Sequence, residues 1–339
     1  MFASAAGSEC AVKHVVIAAA LLAAAPYTAA QTPAGADSTP APTFRAQADL
    51  VALAVTVVDE RDDHLSGLAL SDFVVMEDGI EQPLSYFAAS AVPVDITLLV
   101  DASASMGDKM AVVREAVHGL TGALRPGDRA AVVEFRTTTT ERQAMTGDQA
   151  AIDAAMSRLT GNGDTAMYTA LYVTLSGMRT SSRGGDVRRQ AVVVLSDGDD
   201  TASLVGYEDV LEKARRRGVA IYAVSLQSPV SRGRLRRAGS APATDGERAL
   251  GVLARETGGV AFFPGELRQL PEVYRVIAQE LGRQYMVGYT PREPSREGGW
   301  RSVKVRLPAY PRATVRARSG YYAGDGSAFA ATRLRADRH

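Results

Sequence analysis

The stretch "VDITLLVDASASMGDK", residues 94–109, indicates the architecture of this chain. Its first part, Val94–Val100, is a mostly apolar run of the kind found in strands that are buried on both faces of a parallel sheet. Asp101, Ser103 and Ser105 follow this run at alternate positions. Because ligands of open α/β sheets bind at the carboxyl ends of the strands, the stretch predicts a site where a central strand ends.

Beyond this stretch, predicted helices and strands alternate. Apolar residues in the segment 107–124 keep the helical spacing of three and four positions. Helices are predicted over 107–124, 148–159, 166–178, 207–217, 245–257 and 267–282, and strands over 129–136, 190–197, 219–226 and 260–263. This order predicts an α/β domain over residues 93–282, with a Rossmann-like, doubly wound and mostly parallel sheet.

The two flanks of that domain are rich in predicted strands. Residues 50–92 contain Asp78 and Gly79 between two β-rich runs, which is typical of a hairpin. Residues 283–325 hold three further β-rich runs. Each flank is too short to form a stable sheet with its own two-sided core. We therefore expect both to pack together as one unit, called here the β-rich module.

The ends of the chain have a different composition. An eleven-residue apolar run, Val15–Ala25, is too short to span a bilayer, and small residues follow it. Residues 1–30 are therefore predicted to be a cleaved signal peptide, which implies export to the periplasm or the extracellular space and no stable membrane span in the mature chain. An uncleaved anchor or a misassigned start are the alternatives. Residues 31–49 are predicted to be a flexible linker and 326–339 a disordered tail.

Charge and cysteine content exclude several classes of function. The chain has 38 basic and 38 acidic residues, so no net field attracts nucleic acid, and we expect no nucleic-acid partner. The one cysteine, Cys10, lies before the apolar run of the predicted signal peptide. A mature chain without cysteine has no disulfide, no zinc–thiolate site and no thiol nucleophile.

Two further polar residues join the residues that follow the first strand. Asp197 ends the predicted strand "QAVVVLSD", and Thr165 lies in the Gly-flanked loop "GNGDT" before a helix. Together with Asp101, Ser103 and Ser105 they supply two carboxylates and three hydroxyls. Oxygen ligands of this kind suit Mg²⁺, with Mn²⁺ or Ca²⁺ as alternatives.

In its order of residues the chain resembles the von Willebrand factor type A (VWA) domain. The pattern Asp-x-Ser-x-Ser, a later Thr and a later Asp is that of the metal-ion-dependent adhesion site of this family, and the resemblance covers residues 93–282. The flanking runs "VTVVDERDDHLSGLALSDFVVMEDGIEQPLSYF" and "QYMVGYTP" look like those of a bacterial exported subfamily known as VWFA-related.

The resemblance implies a role for each site residue. Ser103, Ser105 and Thr165 would contact the ion directly or through water, whereas Asp101 and Asp197 would act through water. An acidic group of a protein partner would fill the remaining coordination position. The expected function is thus Mg²⁺-dependent binding or adhesion. The alternative is a structural or accessory subunit with a vestigial metal site, whose contacts are made by the β-rich module.

Simpler roles also fit the same residues. Ser103 and Ser105 fit as caps of the first helix, with Asp108 as a competing cap, and Thr165 fits as a cap of its own helix. Asp197 fits as a turn former, the role predicted for its neighbours Asp199 and Asp200. The joint occurrence of the whole set favours the metal site. Asp101 is expected near the surface, so that its replacement would change stability little.

Catalysis has little support in the sequence. The chain has no Gly-x-Ser-x-Gly elbow, no Ser-x-x-Lys and no His-Glu-x-x-His motif. A hydrolase built around Ser103 would need His64 or His118 as its base. His64 is predicted to lie in a polar turn, and His118 on the surface of the first helix. We therefore expect a protein that is not an enzyme.

An arginine-rich loop follows the predicted strand 219–226. The loop carries Arg232, Arg234, Arg236 and Arg237 and has almost no apolar residue to bury. Most such runs are solvated surface. Because the loop leaves the carboxyl end of a strand, it is also a candidate for steering an acidic partner to the metal site.

Overall fold

The computed structural model describes residues 49–89, 92–178, 188–197, 200–226, 236–237, 244–292, 298–323 and 329–330. All of them belong to one compact unit, Ala46–His339. The predicted signal peptide, most of the predicted linker and most of the predicted tail lie outside the described residues. Within the described ranges no helix is long and apolar enough to cross a bilayer.

The described elements follow the predicted order closely. The helices are α1 (Met110–Gly122), α2 (Gln149–Ser157), α3 (Met167–Gly177), α4 (Tyr207–Arg217), α5 (Asp245–Thr257) and α6 (Leu270–Arg283). The strands are β1 (Asp49–Val58), β2 (Val74–Glu77), β3 (Ile80–Gln82), β4 (Leu84–Ala89), β5 (Val94–Asp101), β6 (Arg129–Phe135), β7 (Thr139–Thr146), β8 (Arg189–Ser196), β9 (Ala220–Ser225), β10 (Arg236–Arg237), β11 (Ala261–Phe263), β12 (Tyr285–Tyr289), β13 (Trp300–Arg306), β14 (Thr314–Arg316), β15 (Gly320–Tyr322) and β16 (Phe329–Ala330).

The central sheet has seven strands in the order β10-β11-β9-β8-β5-β6-β7. The strands from β11 to β6 are parallel to one another, and β10 and β7 are antiparallel edge strands. All eight residues of β5 are buried, as its apolar sequence predicted. The α/β class with a mostly parallel sheet is confirmed.

Each face of this sheet has its own hydrophobic core. On one face, Leu98 and Val100 of β5 pack with residues of α1, α2 and α6. On the other face, Leu99 packs with residues of α3, α4 and α5. Side chains of a strand alternate between faces, so β5 contributes to both cores and needs apolar residues at nearly every position.

Strands from both flanks build the β-rich module. One sheet has the order β14-β1-β12-β4, and the other has the order β15-β13-β2-β3, so each combines strands from the two ends of the chain. Val51 and Val287 of the first sheet share one core with Val75 and Val303 of the second. The expected module built from both chain ends is confirmed, including a β2–β3 hairpin that turns at Asp78 and Gly79.

Backbone pairing also reaches segments at both ends of the described chain that were not predicted as strands. Asp49, the last residue of the predicted linker, begins β1, and Phe329–Ala330 of the predicted tail forms β16. These two segments pair with each other through Asp49 and Leu50. The open backbone edge of β1 explains this pairing, because it offers hydrogen-bonding groups to any extended segment, whatever its composition.

A buried polar cluster joins the β-rich module to the central domain. Oε1 of Glu280 in α6 accepts hydrogen bonds from the Tyr222 hydroxyl of β9 at 2.9 Å and from the Thr56 hydroxyl of β1 at 3.3 Å. Its Oε2 is paired with the Arg316 guanidinium of β14. One carboxylate thus links four elements that come from both parts of the structure.

A second contact between the two parts involves aromatic rings. The guanidinium groups of Arg215 and Arg216 in α4 lie 4.7 Å and 4.0 Å from the ring centroids of Trp300 and Tyr322. Those two rings meet edge to face at 5.1 Å. Cation–π contacts of this kind fix β13 and β15 against α4.

Candidate metal centre

Asp101, at the end of β5, is completely buried. Its Oδ1 accepts the Ser103 backbone N–H at 2.8 Å, and its Oδ2 accepts the Ser196 hydroxyl at 2.6 Å. The expectation that Asp101 lies near the surface was wrong, because the loop after β5 folds back over the carboxylate. Ser196 was not singled out from the sequence, although its position directly before Asp197 at the end of β8 was a signal.

A chain of oxygen atoms connects the ends of β5 and β8. The Ser105 hydroxyl donates to Oδ1 of Asp197 at 2.7 Å, and the hydroxyl oxygens of Ser103 and Ser105 are 3.2 Å apart. Asp197 and Ser103 are buried, whereas Ser105 is exposed. The structure thus brings together the side chains of these three predicted ligands, and the backbone N–H of Ser103, in the loop after β5, also donates to Asp101.

The loop that carries Thr165 packs directly on the loop after β5. Asn162 N–H donates to the Ala102 carbonyl at 2.8 Å, and Ala104 N–H donates to the Gly163 carbonyl at 3.0 Å. Thr165 itself is buried, and its carbonyl accepts the Thr201 N–H at 2.9 Å. Backbone contacts therefore join all three loops of the predicted site.

Lys109 completes the cluster and was not predicted as part of it. Its ammonium forms an ion pair with Oδ2 of Asp197, and its side chain is 29% exposed. Burial lowers the pKa of this ammonium, although the negative charges of Asp101 and Asp108 act to raise it. The available signal was the rarity of lysine, since Lys109 is one of four in the chain.

The helix-cap interpretation finds no support in the contacts. Ser103 precedes a 3-10 helix, Ala104–Lys109, and its side chain makes no capping hydrogen bond. The residue at the N-cap of α1 is Lys109, and the residue at the N-cap of α3 is Ala166. Neither forms a side-chain cap. The hydroxyl of Ser105 is directed to Asp197 instead.

Asp200 does more than form a turn. Its Oδ2 accepts the Tyr168 N–H at 3.0 Å in the first turn of α3, and its Oδ1 accepts the Ser203 N–H at 3.0 Å. A carboxylate at a helix N-terminus satisfies free N–H groups and interacts favourably with the helix dipole. Asp200 therefore fixes the loop after β8 to the helix that follows Thr165. Asp199 lies outside the described residues.

The donor set has the chemistry of a hard-cation site. No group of three or more His, Cys, Asp or Glu side chains that could hold a metal ion occurs in the described ranges. The predicted set differs from such a group because it has two carboxylates, Asp101 and Asp197, and takes its other oxygens from hydroxyls. Oxygen-only ligand sets with one or two carboxylates fit Mg²⁺.

Most of the arginine-rich loop lies outside the described residues. Arg232 and Arg234 lie outside the described residues. The backbones of Arg236 and Arg237 form β10, which pairs with Phe263 and Phe262 at the edge of the central sheet. Part of the predicted surface loop is thus an edge strand. A role of these four arginines in partner binding stays a prediction.

The two histidines considered as possible bases lie in different places. Nδ1 of His118 on α1 lies 2.8 Å from an Asp153 carboxylate oxygen on α2, and the His118 side chain is 63% exposed, as predicted. His64 forms an isolated bridge with Val58 in the β-rich module.

The family of the central domain follows from a comparison with family models. The model of the von Willebrand factor type A domain matches residues 95–253. The chain contains a VWA domain. The matched region begins in β5, ends within α5 and includes all five predicted metal ligands.

Curated relatives and solved structures are also similar to parts of this chain. A UPF0353 protein of Mycolicibacterium paratuberculosis is 26% identical over an alignment of 208 residues, and the alignment covers 57% of this chain and 62% of the relative. The chain therefore spans less than two thirds of the length of that relative. A von Willebrand factor type A structure from Catenulispora acidiphila has a TM-score of 0.44 at 14% identity. That match covers 82% of this chain and 75% of the Catenulispora chain. The vWF domain of the type V pili tip protein Mfa5 from Porphyromonas gingivalis has a TM-score of 0.41 at 13% identity. That match covers 56% of this chain and 94% of the Mfa5 domain.

Proposed function

We propose that the VWA domain binds Mg²⁺ and captures a protein partner through an acidic side chain. The proposed ligands are Asp101, Ser103, Ser105, Thr165 and Asp197. One observation carries the proposal: the Ser105 hydroxyl bridges from the loop after β5 to Asp197 after β8, with the Ser103 hydroxyl beside it. Oxygen atoms of both strand ends thus meet at the edge where ligands of parallel sheets bind.

Each residue has a distinct part in this proposal. Asp101 and Asp197 supply the negative charge that offsets a divalent cation, and the hydrogen bond from Ser196 keeps Asp101 oriented. Ser103, Ser105 and Thr165 supply neutral oxygen ligands. The bound ion would present a positive charge to a carboxylate of the partner. Mn²⁺ and Ca²⁺ are alternative ions because they take the same type of ligand.

We also propose that the protein is exported and has no catalytic activity. Export is supported by the apolar run Val15–Ala25 and the small residues after it. A binding function without catalysis is supported by the sequence, which has no Gly-x-Ser-x-Gly, Ser-x-x-Lys or His-Glu-x-x-His motif.

A second candidate is an accessory subunit in which the metal site is vestigial. The ion pair of Lys109 with Asp197 favours it, because an internal cation already offsets the charge of that carboxylate. The contacts with other proteins would then be made by the β-rich module.

Calorimetric titration with Mg²⁺ separates the two candidates. The protein should bind the ion, and the double variant Ser103→Ala, Ser105→Ala should not. Ser157→Ala, a serine on α2 that bonds to its own helix, is the matched control. Crosslinked capture from the native envelope, with and without chelator, then tests the partner. Capture that is unchanged by chelator would favour the accessory subunit, and absence of ion binding by a folded protein would overturn the metal site.

A further inference from the structure

Both carboxylate oxygens of Asp197 already have partners within the chain. Oδ1 accepts the Ser105 hydroxyl, and Oδ2 is paired with the Lys109 ammonium. The carboxylate is almost fully buried, whereas the Lys109 side chain is 29% exposed. The Asp197 carboxylate therefore has little access to solvent, whereas the Lys109 side chain can reach solvent.

We propose that Lys109 is an internal cation that competes with a divalent ion for Asp197. This inference rests on the proposed metal site and adds its regulation. Lys109 would hold the carboxylate until a divalent ion is concentrated enough to replace the ammonium, and Lys109 would then turn toward solvent. The residue thereby raises the ion concentration at which the site fills.

The electrostatics of the cluster support a competition of this kind. Asp101 and Asp197 are both buried at the carboxyl ends of the neighbouring strands β5 and β8. Two nearby carboxylates repel each other unless a cation offsets their charge. Either an ammonium or a divalent ion serves that purpose. With both present, the two positive charges repel each other, so the binding of one weakens that of the other.

The position of Lys109 makes an exchange of partners structurally simple. It is the last residue of the 3-10 helix Ala104–Lys109 and directly precedes α1. A long, partly exposed side chain at such a junction changes its rotamer without moving a core residue. The exchange therefore requires no change in the sheet.

The test uses the full chain, with Mg²⁺ alone as the probe. Lys109→Met removes the ammonium and keeps a chain of similar length, and Lys109→Arg keeps the charge. Lys304→Met, at an exposed position of β13, is the control for the loss of one positive charge. Each variant is titrated calorimetrically with Mg²⁺, and its melting temperature is measured in chelator and in excess Mg²⁺.

Lys109→Met should bind Mg²⁺ about ten-fold more tightly than the wild type, which corresponds to the loss of one competing ion pair of ~1.4 kcal/mol. In chelator it should melt about 3 °C or more below the wild type, because Asp197 loses its counter-charge, and excess Mg²⁺ should remove most of that difference. Lys109→Arg and Lys304→Met should behave like the wild type in both measurements.

Two results would overturn the inference, and they differ from each other. If the wild type binds Mg²⁺ and Lys109→Met binds it no more tightly, the metal site stands and the competition does not. If no variant binds Mg²⁺, the proposed metal site fails as well.

Discussion

Glu280 of α6 and Arg316 of β14 form an ion pair across the junction between the VWA domain and the β-rich module. The Glu280 side chain is 3% exposed and the Arg316 side chain 20%. Since Tyr222 and Thr56 also donate to this carboxylate, the junction contains a buried charge with three partners on three different strands. The two parts of the structure are therefore expected to unfold together.

The first prediction concerns that ion pair. Arg316→Met should lower the free energy of unfolding by roughly 2–4 kcal/mol, because it leaves a buried carboxylate without its counter-charge. Urea denaturation followed by circular dichroism measures the change. Arg312→Met is the control, since Arg312 is 81% exposed and its nitrogen lies 3.7 Å from Glu60. Equal effects of the two substitutions would contradict the assigned role.

The second prediction concerns pH and Asp95, at the start of β5. Burial raises the pKa of this carboxyl, but hydrogen bonds and charges from Arg129 and Arg188 outweigh it, so that the pKa is lowered. A lowered folded-state pKa contributes stability that is present above the unfolded pKa of about 3.9 and is lost as pH falls through the folded value.

Asp95→Asn should therefore be less stable than the wild type at neutral pH, and the difference should shrink in acid. The measurement is urea denaturation between about pH 2 and pH 6, which brackets the usual carboxyl range. Glu60→Gln, at an exposed carboxylate, is the control. A stability difference that is the same at every pH would mean that the charge of Asp95 is unimportant.

The third prediction separates stability from ion binding at the metal site. Asp101→Ala should destabilise the protein by about 1–3 kcal/mol even in chelator, because it leaves the Ser103 N–H and the buried Ser196 hydroxyl without their acceptor. Ser105→Ala removes an exposed hydroxyl and should leave stability in chelator nearly unchanged. Both variants should lose the rise in melting temperature that Mg²⁺ gives by binding the folded state.

Thermal melts of both variants with and without Mg²⁺ test this prediction. If Mg²⁺ raised the melting temperature of Ser105→Ala as much as that of the wild type, the Ser105 hydroxyl would not be a ligand. If Asp101→Ala in chelator had the same melting temperature as the wild type, the two hydrogen bonds that Asp101 accepts would be unimportant for the fold.

The fourth prediction concerns the contact between two loops of the site. A Cβ at Gly161 would lie 2.6 Å from the Gly107 nitrogen and 3.0 Å from the Ser103 carbonyl oxygen. Both are backbone atoms, so Gly161→Ala should push the loop of Thr165 away from the loop of Ser103 and weaken Mg²⁺ binding.

Calorimetric Mg²⁺ titration measures the effect of Gly161→Ala, and Gly119→Ala on α1 is the control because a Cβ there meets open space. The control should bind like the wild type and gain a little stability from the better helix former. Binding by Gly161→Ala at the wild-type level would show that the close approach of the two loops is not needed.

The sequence determined the parts of this protein that depend on local pattern. The apolar run of β5 predicted a central strand because only a strand covered on both faces needs apolar residues at nearly every position. Helical periodicity placed α1 for the same kind of reason, since this helix buries one stripe of side chains. The order of Asp101, Ser103, Ser105, Thr165 and Asp197 along the chain identified the candidate site before any contact was known.

Tertiary structure alone decided which of these residues touch, and what else joins them. Ser196 bonds to Asp101 across 95 residues, and Lys109 reaches Asp197 across 88. These contacts exist because β5 and β8 are neighbours in the sheet, and no local pattern specifies that order. The burial of Asp101 depends in the same way on how its loop folds back against β8 and the loop of Thr165. Burial and pairing are properties of the packed chain. The sequence therefore could not show which charged side chains of the site are buried and which are paired.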